Sequence, residues 1–449
     1  MEVKMFTLNK VFKFIFWSFC IYFCFVPHIW GEVDWSLGKL QEQMVSPPEH
    51  ITEKVLFGSS VAISDQYAII GSKKDSQIVS RGGSAYIYEK NDDKWIFVKK
   101  VFGSNNSKND YLGGAVALEG NFAFVGALSY NVDENHKDVG IVYVYQRQPS
   151  GEWIQTQTLF PNPLDNTHNF GCSLATYNTQ LIVGAYGKTS ESGKAFIFEL
   201  ENNQWVQRHC LEPEEPDIGG RFGIDVDIFN NYVIVGAYIG FNYYGAVYVF
   251  QKHEGGWNQI ELIQSPSEDN FSYFGYSVCI NDQYLVVGSK CEKLNGIANV
   301  GAVYVYRRNE NSWELMPKLI EPDLKEDDKF GASIDLEGDL LAVGGIKMDS
   351  DLEGSGAVNI YRIEENQFVL LRKIFADQPQ FHSLYGSSLA FTNDKILIGS
   401  ELYSKNNNSN TPGSAFFYSL VSSSPVGPDD VLGLDDVIHW LKILSGSSQ

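Results

Sequence analysis

The sequence predicts an all-β fold, a seven-bladed β-propeller of four-stranded antiparallel blades, and three observations predict it. A dipeptide ending in Gly recurs seven times at intervals of 52 to 58 residues, at Phe57-Gly58, Leu112-Gly113, Phe170-Gly171, Phe222-Gly223, Phe274-Gly275, Phe330-Gly331 and Tyr385-Gly386. Thirteen residues after each of these glycines comes another, Gly71, Gly126, Gly184, Gly236, Gly288, Gly344 and Gly399. The 449-residue chain holds 41 Gly and 14% aromatics, a composition suited to turn-rich β structure. Self-similarity at this period marks a repeat architecture, in which each unit buries its faces only against its neighbours.

Within a repeat the elements follow in order. Ser60-Val61-Ala62-Ile63 alternates, turns at Asp65-Gln66 and climbs again through Tyr67-Ala68-Ile69-Ile70, so strands A and B form a tight hairpin. A third glycine opens strand C, as in Gly83-Ser-Ala-Tyr-Ile-Tyr, Gly245-Ala-Val-Tyr-Val-Phe and Gly301-Ala-Val-Tyr-Val-Tyr. Strand D starts at an aromatic, Trp95, Trp153, Trp205, Trp257, Trp313 or Phe368, eighteen residues ahead of the next blade's first glycine. The seventh repeat ends after strand C at Tyr418, and Trp35 stands ahead of the first repeat. The segment from Trp35 to Leu40 is therefore expected to supply the missing strand and close the ring, removing two open sheet edges. The interval from the strand B glycine to the strand C glycine runs 12, 14, 9, 9, 13, 12 and 14 residues, which places sequence variation in the BC loops. BC and DA connections emerge on one face of such a meander, and that face is the expected functional one.

The ends of the chain read differently. Lys4, Lys10 and Lys13 precede or open an apolar run from Phe14 to Val26 that Pro27 breaks, the layout of a signal peptide over residues 1–31. Thirteen apolar residues fall short of the roughly 20 that span a bilayer, so a secreted or surface protein is expected, with membrane association only if the segment is retained. The propeller is assigned to 32–420, a Ser/Pro/Gly linker to 421–433, and an amphipathic helix to 434–446 on the spacing of Leu434, Val437, Ile438, Leu441 and Leu444. A net charge of −21 spread through the loops argues against nucleic acid as a partner. Of six cysteines, Cys172, Cys210, Cys279 and Cys291 lie beyond the apolar run; they make no disulfide framework, and either a local Cys279–Cys291 bridge or four small buried thiols fits.

These blades resemble the FG-GAP repeats of the integrin α-chain propeller: an FG at the blade start, then Gly-Ala or Gly-Ser after strand B, over residues 57–418. The resemblance implies the propeller fold and a place among proteins of adhesion, lectin-like binding or appendage to enzymes. Many relatives hold calcium in a long AB loop of alternating aspartates, and all seven AB turns here are too short for it, so no cofactor is expected from that source. Two weak metal candidates remain: Asp225 with Asp227, alternating in strand A near the central channel, and Asp429 with Asp436, in a stretch similar to half of a dockerin or EF-hand-like loop.

Hydrolase motifs are missing: there is no Gly-x-Ser-x-Gly elbow, no His-Glu-x-x-His and no phosphate-cradling loop, so no enzymatic activity is expected. The binding candidates are aromatic. Tyr186, Tyr238, Phe241, Tyr243 and Tyr244 fall in the short BC loops of the third and fourth blades, either as an exposed rim for a sugar or protein ligand or as packing between blades. Acidic residues crowd the same face at Glu212, Glu214, Glu215 and Asp217, at Asp323, Glu326, Asp327 and Asp328, and at Asp349, Asp351 and Glu353, fitting solvated loop charge or attraction of a basic partner. Asn105, Asn270 and Asn407 each begin an Asn-x-Ser sequon. The expected function is extracellular recognition of a protein or glycan through the BC/DA face, with a surface scaffold as the alternative and a propeller hydrolase as a remote one.

Overall fold

The structure is a computed structural model that describes residues 41–45 and 54–419, apart from 93, 165–166, 268, 311, 349–351, 393–394 and 404–411. The expected 1–31 leader, Trp35, the linker, the terminal helix with Asp429 and Asp436, the sequon at Asn407 and the acidic pair Asp349 and Asp351 lie outside the described residues. Residues Leu40–Leu420 form one compact unit.

Seven four-stranded antiparallel sheets follow one another along the chain. Blade 1 is representative: strand A is Phe57–Ile63, B is Tyr67–Ser72, C is Ser84–Asn91 and D is Lys94–Val101, hydrogen-bonded in that order. Strand B is buried along its whole length, whereas strand D is mostly open on its outer side. The burial gradient follows from position in the blade, with B and C flanked on both sides and D on the rim.

The last blade is composite. Its first three strands are Tyr385–Thr392, Lys395–Ser400 and Ser414–Ser419, and its fourth is Gln41–Val45, paired antiparallel with Ser414–Ser419. An N-terminal strand thus closes the ring, Gln41–Val45 among the described residues, while the expected segment Trp35–Leu40 lies outside them. The spacing accounts for the place of the described part: every strand D aromatic stands eighteen residues before the next first glycine, and eighteen before Gly58 is Leu40. Register governs the strand, and the aromatic marker is absent from this copy.

The signature residues meet at the seams between blades. Each first-position side chain is buried, Phe57, Leu112, Phe170, Phe274, Phe330 and Tyr385 completely, and Phe57, Phe170, Phe222, Phe274, Phe330 and Tyr385 each set a ring edge against a strand C aromatic of their own blade. A strand bulge follows this dipeptide in six blades, between Phe57 and Val61 in the first. Across the closing seam, Phe57 N donates to Pro412 O at 2.8 Å and Gly413 bridges Phe57 in parallel, while a Cβ on Gly399 would collide with the Gly58 carbonyl. Equivalent collisions await a Cβ on each strand B glycine, from Gly71 against Gly113 around to Gly344 against Gly386. The two glycines thirteen residues apart are therefore fixed by the approach of one blade to the next.

A serine belt reinforces these seams. The hydroxyls of Ser60, Ser173, Ser277, Ser333 and Ser388 donate to the first-glycine carbonyl of the following blade, at 2.9, 3.2, 2.9, 2.6 and 2.9 Å. Ala115 and Asp225 hold the equivalent positions in blades 2 and 4. The hydrophobic clusters lie between blades: one joins Phe417 and Leu397 of blade 7 to Phe57, Tyr86 and Trp95 of blade 1, with Trp95 stacked on Phe417 at 4.7 Å. Cys172, Cys210, Cys279 and Cys291 are free, so the Cys279–Cys291 bridge is not formed; of the four thiols expected to be buried, Cys279 is buried and the other three are half-buried.

Candidate functional site

Strand A of every blade lines a central cavity of about 320 Å³, with Ser59, Ser60, Ser173, Asp225, Tyr276, Ser277, Ser333 and Ser388 among its walls. Strand A has a neighbour on one side only, so its outward amides need acceptors, and the channel carboxylates supply them. Asp225 accepts from Val278 N and Asp227 from Ile280 N, both at 2.8 Å and both in the next blade. Asp335, which the sequence reading passed over, does the same from blade 6 to Phe391 N of blade 7 at 2.7 Å.

Burial raises all three carboxyls against the amide bonds that oppose it, Asp225 and Asp335 to about 7 and Asp227 to about 8. Asp225 and Asp227 do share the channel side, but their oxygens are engaged by backbone. Among the described residues no group of three or more His, Cys, Asp or Glu is arranged to hold a metal. His136 pairs with Asp133 within one BC loop, and His168, from a DA loop, with Glu191 of the neighbouring BC loop, so the two histidines sit in separate places.

The aromatic candidates divide into two places. Tyr186 and Tyr238 are half-buried at the channel mouth, Tyr186 beneath the Arg221 guanidinium at 5.0 Å and Tyr238 edge-on to Tyr273 and Tyr276 at 5.0 and 5.5 Å. Tyr243 is 47% exposed and stacks at 4.6 Å on Phe271, which is 50% exposed and comes from the following DA loop. Phe241 turns inward against the core shared by blades 3 and 4, and its amide donates to Asp217. Tyr244 is half-buried, with its carbonyl accepting from Ser272 Oγ at 3.1 Å.

Tyr243 and Phe241 have φ of +74° and +53° in the tight turn Gly240–Tyr243, a conformation costly for bulky side chains. Sequence reasoning missed Phe271, Tyr273, Tyr276, Arg221 and Lys290. The last five-residue grouping is visible only when blades are laid side by side, since its members come from three different repeats.

Beyond the channel, exposed apolar side chains are distributed unevenly. Ile78, Phe160, Ile218, Tyr243, Phe271, Ile297, Leu352 and Phe381 all project from BC or DA loops, Ile218 being 71% exposed and Ile78 and Phe381 62%. Among the described residues the remaining exposed large apolar groups sit on outer strands D, and none in an AB or CD turn. Asn105 and Asn270 are exposed on the BC/DA face, Asn270 directly preceding Phe271.

The FG-GAP repeat profile matches residues 52–88, 95–145, 153–198, 205–250, 257–306 and 313–361. No curated protein sequence matches the chain. Similar solved structures include a protein from Lactobacillus plantarum, at 13% identity and a TM-score of 0.47 over 70% of this chain and 84% of that one. A second is the periplasmic gluconolactonase PpgL of Pseudomonas aeruginosa, at 12% identity and a TM-score of 0.45 over 72% of this chain and 86% of that one. The expectation that the chain has no enzymatic activity is corrected on this finding: a similar structure is that of a lactonase, and missing sequence motifs do not exclude catalysis on such a scaffold. At this distance the likeness assigns no reaction to the chain.

Proposed function

We propose a recognition role from one premise: the chain belongs to the FG-GAP repeat family. The propeller supports a binding or scaffold role in general, and the BC/DA face is the surface that performs it here, displayed outside the cell as the N-terminal apolar run implies. The observation that carries this reading is the confinement of exposed loop apolar groups to one face, eight side chains on BC and DA loops. A disc that only filled space would have no reason to segregate them. The Tyr243–Phe271 pair, held up by a strained turn, is the anchor expected of such a surface, a rigid aromatic plate that a sugar ring or an apolar side chain can cover.

The ligand is a protein or a glycan, and the acidic loops favour a basic rim on it. A glycan-array and secreted-protein screen with purified protein, run with calcium and again with a chelator, tests the reading. A specific hit that a Tyr243→Ser, Phe271→Ser double variant loses is the expected result. Consistent absence of hits in both conditions would leave the scaffold role as the better account.

A further inference from the structure

At the channel mouth, on the side of blades 3 to 5, the local charge opposes that of the chain as a whole. Lys290 follows strand B of blade 5 and lays its ammonium over the Tyr276 ring, 3.0 Å from the centroid, with the Tyr273 ring 6.0 Å away. It makes no ion pair among the described residues. Three other lysines of the same face are matched, Lys73 with Glu401 at 2.8 Å, Lys194 with Glu212 at 2.8 Å and Lys347 with Asp327 at 3.4 Å, whereas loop lysines such as Lys74, Lys108 and Lys329 stand without a carboxylate partner among the described residues and, unlike Lys290, lie over no ring. Arg221 covers Tyr186 and spends one donor on the Gly187 carbonyl at 2.7 Å, also without a carboxylate partner among the described residues. Between these two cations runs the aromatic series Tyr186, Tyr238 and Tyr276, and Tyr276 opens onto the cavity holding Asp225 and the belt serines. In a chain with 55 acidic and 34 basic residues, two unpaired cations around a tyrosine-walled opening mark a place kept free for an anion.

We propose that this mouth binds an acidic monosaccharide unit, its carboxylate on Lys290 and its ring against Tyr238 and Tyr276; the inference rests on the BC/DA face being the binding face. Tyrosine rings supply flat apolar faces and hydroxyls for a sugar ring, and the polar channel wall below can meet its hydroxyls. A neutral sugar would leave the Lys290 charge unanswered. A cationic ligand would meet Lys290 and Arg221 head-on.

The site also predicts its own pH dependence. Burial, and then the nearby Lys329, push the Lys290 amine down to about 7, with Cys291 opposing. A bound carboxylate favours the charged form, so binding takes up a proton and weakens as pH rises through 7. The groups that face Lys290 are Tyr273, Tyr276, Cys291 and Lys329, and Asp225 deeper in the channel ionises over the same range and acts in the same direction.

Ligand-observed NMR titration of the full chain with glucuronate and galacturonate, against glucose and galactose, provides the test at pH 6 and pH 8.5. Saturable uronate binding is expected, at least tenfold tighter than the neutral sugars and about tenfold or more weaker at pH 8.5 than at pH 6. Lys290→Gln should lose tenfold or more with unchanged melting. Lys290→Arg, which keeps its charge at both pH values, should retain binding within a few-fold and flatten the pH response. Equal affinity for glucuronate and glucose, no uronate binding at either pH, or a pH response that persists undiminished in Lys290→Arg would each overturn the proposal. A screen hit that depends on Tyr243 and Phe271 without any uronate binding would remove this site while the face reading stands.

Discussion

The two faces of the disc are built on different terms. On one, the AB and CD turns are short and made of residues that accept a left-handed backbone: Asn178, Asn202, Asn203 and Asn230 have φ between +48° and +64°, and Gly120 and Gly338 stand at +54° and +59°. On the other, the BC loops vary in length while the DA loops keep one spacing, and together they carry eight exposed apolar side chains among the described residues. Local geometry dictates composition where a hairpin must reverse in two residues. Where a loop has ten, the geometry is permissive and other demands decide its residues. The polar face therefore reports on folding and the other, on the function proposed above, on recognition, and this division can be attacked from both sides.

The largest effect is expected from the element that both faces depend on. Removing residues 41–45 strips blade 7 of its outer strand and should lower the melting temperature by roughly 10 °C or more, since a three-stranded last blade leaves an open edge. An unchanged melting curve would mean that the ring holds without its closure. Next comes a contrast of two glycines. Gly399→Ala drives a methyl into the Gly58 carbonyl at the closing seam and should cost about 3 kcal/mol or more by denaturant titration. Gly120→Ala, in an AB turn where nothing lies within 4 Å, should cost only about 1 kcal/mol through its backbone.

A third test separates channel from loops. Asp225, Asp227 and Asp335 hold protons more tightly folded than unfolded, so their stabilising contribution is complete below the ordinary carboxylate range and drains away as pH rises through 7 to 8. The melting temperature should fall by several degrees between pH 5.5 and pH 8.5, and Asp227→Asn, which can still accept from Ile280 N, should recover part of it. A variant with the wild-type slope would show the loss to come from general charge repulsion. The smallest thermal effect belongs to the Tyr243→Ser, Phe271→Ser pair, expected within about 2 °C of wild type because both rings are half in water; a larger drop would make the pair structural.

The same division governs what could be read beforehand. Blade number, strand order and the hairpin turns were legible because seam glycines and turn residues answer to local rules repeated seven times. Closure by an N-terminal strand was legible too, from the missing strand D of the seventh repeat, and the eighteen-residue spacing sets its start at Leu40. Asp335 was missed beside Asp225 and Asp227, although it occupies strand A of its own blade. The mouth cluster was only partly found, through Tyr186 and Tyr238, for a physical reason: Arg221, Tyr276 and Lys290 become neighbours through the stacking of blades, a long-range event with no local signature. One signal did exist. The residue two places after each strand B glycine rings the mouth, and reading those positions together gives Lys73, Leu128, Tyr186, Tyr238, Lys290, Ile346 and Glu401.

The closing strand pairs Gln41 with Ser419 and Val45 with Ala415, so both ends of the ring leave from the same end of one short ladder. A pull applied to those two ends would not slide the strands past each other against all their bonds at once; it would part them rung by rung, the mode that resists least. A propeller tethered through both termini would carry a mechanical weak link at its seam and open there first, whereas one tethered through a single terminus would transmit the same tension without loading its closure at all.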